Sequence, residues 1–72
     1  EFLCPITREL MTDPVIAADG HSYERDAIQS WILSGKLTSP MANTPMKHSN
    51  LIPNTTLKSV ISRYFNTENV IT

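Results

Sequence analysis

A chain of 72 residues that holds one cysteine, Cys4, and two histidines, His21 and His48, has few ways to staple itself together. A domain this small buries only roughly 60% of its unfolded surface, so its stability is marginal, and such chains commonly lean on a disulfide or a structural metal. A single thiol excludes an internal disulfide. The soft and imidazole ligands are too few for an ordinary zinc site without a carboxylate, and far too few for two such sites. The chain is therefore expected to hold its loops with hydrogen bonds, with no metal and no cofactor.

Charge narrows the partners. Six basic residues against seven acidic ones give a formal net charge of −1, and Lys and Arg form no run. That removes the electrostatic basis for nucleic-acid binding. Apolar runs are only a few residues long and neither end carries a signal-peptide pattern, so no membrane association is expected and a soluble, reducing compartment fits best.

Along the chain, Cys4-Pro5 opens an irregular first loop over 3–10, because Pro lacks the N–H that a strand would use. Val15, Ile16 and Ala17 precede Asp19-Gly20, a two-residue hairpin signal, and His21 to Tyr23 return as a second strand. A central helix is expected over 22–35, with Ser22 as N-cap, Gly35 just past the end, and Ala27, Ile28, Trp31 and Ile32 on one face. The segment "TSPMANTPM" then has neither helical nor strand period; it is a second loop, unusual in carrying Met41 and Met46 among small hydroxyl residues. Asn54 or Thr55 caps a closing helix whose Leu57, Val60, Ile61, Tyr64 and Phe65 follow the spacing of one apolar face. No internal repeat is apparent. One α+β domain is expected over 1–66, with a frayed tail at 67–72.

The order of these parts, and the stretches "CPITREL", "DPVIAADGHSYERDAIQSWI", "TSP" and "LIPNTTLKSVI", resemble the U-box, the domain of one class of E3 ubiquitin ligases. The resemblance runs from about Phe2 to Phe65, nearly the whole chain. It implies a small zinc-free RING-like fold, in which a β-hairpin, a central helix, two flanking loops and a C-terminal helix are held by polar contacts in place of two metal ions. It also implies an activity: binding an E2 conjugating enzyme charged with ubiquitin, and promoting transfer to a lysine of a substrate held elsewhere on the full protein. No catalytic residue is implied, since the thioester chemistry belongs to the bound enzyme. The runner-up reading is a degenerate U-box that serves only in protein binding or dimerisation; homodimer formation is left open. The compartment implied is cytoplasmic or nuclear, or a host cytosol if the parent is a bacterial effector.

Carried over by position, the resemblance places the E2-binding contacts on Ile6, Arg8, Trp31 and Pro40, and the residue bridging ubiquitin and E2 on Asn43. Two of these depart from the family pattern. Arg8 stands where some relatives are apolar, and Asn43 offers an uncharged amide where an Arg would form charge-assisted bonds. Pro and Trp suit a surface that must grip and release, because Pro loses almost no entropy on binding and Trp covers a large area with two torsions.

Other residues have plainer readings. Met41 and Met46 are expected to be core-facing plugs, since Met fills irregular gaps. Cys4, between apolar neighbours, reads as a small buried hydrophobe and not as a nucleophile with His21 as its base. Asp13, Asp19, Ser22, Tyr23, Glu24, Arg25 and Asn50 are candidates for the polar network that stands in for zinc.

Overall fold

The computed structural model describes residues 2–65. Its strands are short: β1 (Pro14–Ile16) and β2 (Ser22–Glu24) form an antiparallel hairpin in which Val15 faces Tyr23 and Ile16 faces Ser22. Pro14 is tolerated because it is the first residue of its strand, where its carbonyl alone is used, accepting the Asn54 N–H at 2.9 Å. The loop has three residues and not two. Ala17 N–H donates to the His21 carbonyl and Gly20 N–H to the Ala17 carbonyl, which leaves Gly20 at φ +84°, the left-handed position such a loop asks for.

A third strand, unexpected from the sequence, completes the sheet in the order β2-β1-β3. This is β3 (Ile52–Pro53), antiparallel to β1 with Val15 opposite Pro53. At two residues and with a proline it carries no period to read, and its edge position is what makes the proline acceptable.

Helix α1 spans Arg25–Leu33 and is shorter than its expected span. Ser22 is not the N-cap: it belongs to β2, and Glu24 occupies the cap position with its carboxylate turned away to Thr12 and Asp13. Strand pairing with Ile16 captures Ser22 before the helix starts. Gly35 does end the helix in the expected way, at φ +95° with its N–H on the Ile32 carbonyl. Helix α2 (Thr55–Phe65) is capped by Asn54, whose Oδ1 accepts the Leu57 N–H at 3.0 Å.

The core consists of Cys4, Met11, Val15, Ala17, Tyr23, Ile28, Met46 and Ile61, one or two residues from nearly every segment. The apolar face of α2 is only partly used: Ile61 is buried and Leu57 packs against the core, but Val60 and Tyr64 are exposed, with the Tyr64 ring 5.6 Å from that of Phe2. A 72-residue domain has too little interior to cover the whole stripe. The tail expected to fray, 67–72, lies outside the described residues.

Candidate functional site

The two loops are built alike, although the sequence shows no repeat to the eye. In residues 2–11, Cys4 N–H donates to the Glu9 carbonyl, Arg8 N–H to the Cys4 carbonyl and Met11 N–H to the Phe2 carbonyl, at 2.9, 2.7 and 3.0 Å. In residues 37–46, the matching bonds are Ser39 to Thr44, Asn43 to Ser39 and Met46 to Leu37, at 2.7, 2.7 and 2.9 Å. Each loop thus begins at a buried Cys4 or Ser39, continues with Pro5 or Pro40 and an apolar Ile6 or Met41, and turns on a left-handed residue. Those residues are Arg8 at φ 61° and Asn43 at φ 59°. Asn visits that region readily, whereas Arg does so at a cost of about 1 kcal/mol. The signal that was available is Pro followed by an apolar residue, with a buried Met closing each segment.

Both loops are tied to the hairpin. From the first, the Cys4 sulfur accepts the Glu24 N–H at 3.3 Å. From the second, Ser39 donates its hydroxyl to Asp19 Oδ2 at 2.6 Å and accepts the N–H groups of Met41 and Ala42. The same carboxylate oxygen accepts the Tyr23 hydroxyl at 2.6 Å, and Oδ1 takes the His21 N–H at 2.9 Å. Burial, the largest influence on Asp19, raises its pKa, but the bonds from Ser39, Tyr23 and His21 together outweigh it and hold the carboxyl below the ordinary range. Tyr23 is pushed far the other way, by burial first and then by its bond to the Asp19 carboxylate.

A second cluster secures the start of α1. Glu24 accepts the Thr12 N–H and hydroxyl and the Asp13 N–H, at 2.9, 2.9 and 3.2 Å. Desolvation, its largest influence, is again outweighed by those donors, so its carboxyl is held low. Asp13 accepts Arg25 Nε at 2.7 Å, and that bond is the main reason its carboxyl also sits low. Asn54 Nδ2 donates to Ser22 Oγ at 2.9 Å, which locks α2 to β2. Of the residues expected in the polar network, Asp13, Asp19, Ser22, Tyr23, Glu24 and Arg25 take part through side chains; exposed Asn50 gives its backbone N–H to His48. Ser39, Thr12 and Asn54 were not foreseen there and join it through Asp19, Glu24 and Ser22. No group of three or more His, Cys, Asp or Glu side chains that could hold a metal ion occurs among the described residues.

The sequence-derived site residues stand on these supports. Ile6 is half-buried on the first loop and packs against the core, and Arg8 on the same loop is exposed. Trp31, also half-buried, packs its body on the core and donates Nε1–H to the Thr38 carbonyl at 2.7 Å, which joins α1 to the second loop. Pro40 is half-buried and Asn43 exposed on that loop. The bond from Trp31 brings the helix and second-loop members together; the first loop is positioned separately, through Cys4 and Glu24. Met46 is buried as expected, but Met41 is not a plug: it is 52% exposed, at the place in its loop that half-buried Ile6 holds in the first. Cys4 is fully buried, in keeping with the hydrophobe reading.

Fold and site define a small α+β domain, a three-stranded antiparallel sheet with two helices, that presents two like loops clamped by buried side-chain hydrogen bonds. The chain belongs to the U-box family: the U-box domain model matches residues 1–70. It is 59% identical over 68 residues to WD repeat, SAM and U-box domain-containing protein 1 of Gallus gallus, covering 94% of this chain and 14% of that protein. Against the Homo sapiens protein of the same name it is 57% identical over 67 residues, covering 93% of this chain and 14% of the relative. U-box domain-containing protein 70 of Oryza sativa is 51% identical over 63 residues, or 88% of this chain and 8% of that protein. The chain therefore spans a small fraction of the relatives it matches. U-box proteins are broadly E3 ubiquitin ligases, and their U-box domains generally bind E2 enzymes.

Proposed function

We propose that this domain is the E2-binding module of a ubiquitin ligase, and that it promotes transfer of ubiquitin to a substrate lysine without forming a covalent intermediate of its own. The observation that carries the reading is the paired loop geometry, which gives the chain two hydrogen-bonded, partly apolar turns, the second of them tied to Trp31. Ile6, Trp31 and Pro40 act as apolar contacts, Arg8 as a polar one on the first loop, and Met41 is added as the second loop's counterpart of Ile6. An interface with so few anchors belongs at the low end of the size range, about 1,200 Å² or less, which suits repeated binding and release.

Activation needs no nucleophile from this chain. A charged conjugate that occupies its reactive arrangement ~1–10% of the time gains at most ~10–100-fold when that arrangement is selected, or roughly 1.4–2.7 kcal/mol. One hydrogen bond from Asn43 together with the groove contacts is of that order. The test is lysine discharge from a panel of ubiquitin-charged E2 enzymes, with NMR titration of the domain. Acceleration that Ile6→Ala and Pro40→Ala remove, with shifts centred on Ile6 and Trp31, supports the proposal. Binding without acceleration across the panel favours a degenerate module, and Cys4→Ala abolishing transfer in a folded protein overturns the noncovalent mechanism.

A further inference from the structure

Lys36 follows Gly35 at the end of α1, where the chain turns toward the second loop. Its Nζ lies 4.6 Å from the centroid of the Trp31 ring. Since Trp31 is itself pinned to the Thr38 carbonyl, the indole face gives this exposed ammonium a preferred seat beside the site. The two loops carry no net charge of their own. Residues 37–46 contain no charged side chain, and residues 2–11 contain Arg8 and Glu9. Among the described residues neither Lys36 nor Arg8 engages a carboxylate, in contrast to Arg25, which is spent on Asp13. A cation held against an aromatic contact, with no carboxylate partner among the described residues, is free to meet a carboxylate arriving from outside.

We propose that Lys36, seated on Trp31, is a specificity-determining residue of this site, and that the E2 enzymes this chain prefers carry an Asp or Glu side chain bordering the apolar patch that meets Trp31. The inference rests on the E2-binding reading above and adds a selection rule to it. Lys36 works by charge: it raises the association rate for acidic-rimmed partners and leaves neutral-rimmed ones unaffected, and salt weakens the preference.

The experiment measures dissociation constants for the unaltered chain and for the Lys36→Met, Lys36→Arg and Ile6→Ala variants, after circular dichroism shows each to be folded. The partners are E2 enzymes with a carboxylate at that border and the same enzymes with it changed to Asn or Gln. An exposed pair of this kind is worth about two- to fivefold in affinity. Lys36→Met should lose that factor against the acidic enzyme, Lys36→Arg should keep it, and neutralising the partner should erase the difference between the unaltered chain and Lys36→Met, as should high salt. Equal binding by Lys36→Met and the unaltered chain, with Ile6→Ala still disruptive, overturns the role of Lys36 and leaves the site intact. An equal loss in Lys36→Arg and Lys36→Met, or one that ignores the partner's charge, also overturns it, since packing then explains the effect. No binding of the unaltered chain to any E2 overturns both readings.

Discussion

Ser39 and Asp19 stand twenty residues apart in the sequence and share a 2.6 Å hydrogen bond, which ties the second loop to the tip of the β-hairpin. Ser39 is only 1% exposed, and the carboxylate it serves is shared with Tyr23. Ser39→Ala leaves that carboxylate short of a donor and strands the Met41 and Ala42 N–H groups, so it should lower unfolding stability by about 1–3 kcal/mol. Urea denaturation measures the loss, and the largest amide shifts in the folded variant should fall in 38–46.

The same cluster sets a pH window. Asp19, Glu24 and Asp13 all have folded-state pKa values below their ordinary ones, so their contribution is complete above the ordinary carboxylate range and fades as pH falls through and below it. Tyr23 has a raised value, so its contribution is complete below the ordinary tyrosine pKa of about 10 and is lost as pH rises past it. Melting temperature should therefore be flat near neutrality and fall at both ends. In Tyr23→Phe the alkaline fall should shrink; an unchanged alkaline limb would show that Tyr23 does not set it.

Asn54 does two things at once, capping α2 with its oxygen and holding Ser22 with its nitrogen. Asn54→Ala should cost about 0.5–2 kcal/mol from the cap alone, and more with the bond to Ser22. Asn54→Asp keeps the cap and forfeits the donor, so its denaturation midpoint should fall between those of the parent and the Ala variant.

Asn43 separates loop shape from side-chain function, because glycine adopts φ 59° at no steric cost. Asn43→Gly should leave stability within about 0.5 kcal/mol while slowing lysine discharge by about two- to tenfold. Asn43→Arg adds charge-assisted donors at the same point and should accelerate discharge. Equal rates for all three would remove Asn43 from the mechanism.

Met41 should behave as the partner of Ile6. Met41→Ala removes an exposed side chain and should change stability little, yet weaken E2 binding by about two- to fivefold. Ile6→Ala, which also touches the core, should cost both affinity and stability.

Much of this molecule was legible before any coordinates. Asp19-Gly20 after the apolar Val15-Ile16-Ala17 announces a hairpin, Gly35 ends α1, and the spacing of Leu57, Val60 and Ile61 announces α2; these are local signals, set by residues a few positions apart. Scarcity of cysteine and histidine pointed to hydrogen bonds as the staple, and six of the seven named polar candidates do join those bonds through their side chains. Tertiary packing decided the rest. Ser22 is a sound cap by itself and becomes a strand residue because Ile16 pairs with it. β3 exists only because β1 has a free edge to offer. The likeness of the two loops resides in backbone bonds made by a Cys in one and a Ser in the other, and by an Arg in one and an Asn in the other, so residue identity reveals it only through Pro, the apolar residue after it and the closing Met. Met41 and Met46 are the same residue type in the same short loop, one exposed and one buried, and the bonds that their N–H groups donate to Ser39 Oγ and the Leu37 carbonyl set the loop path that determines which is which.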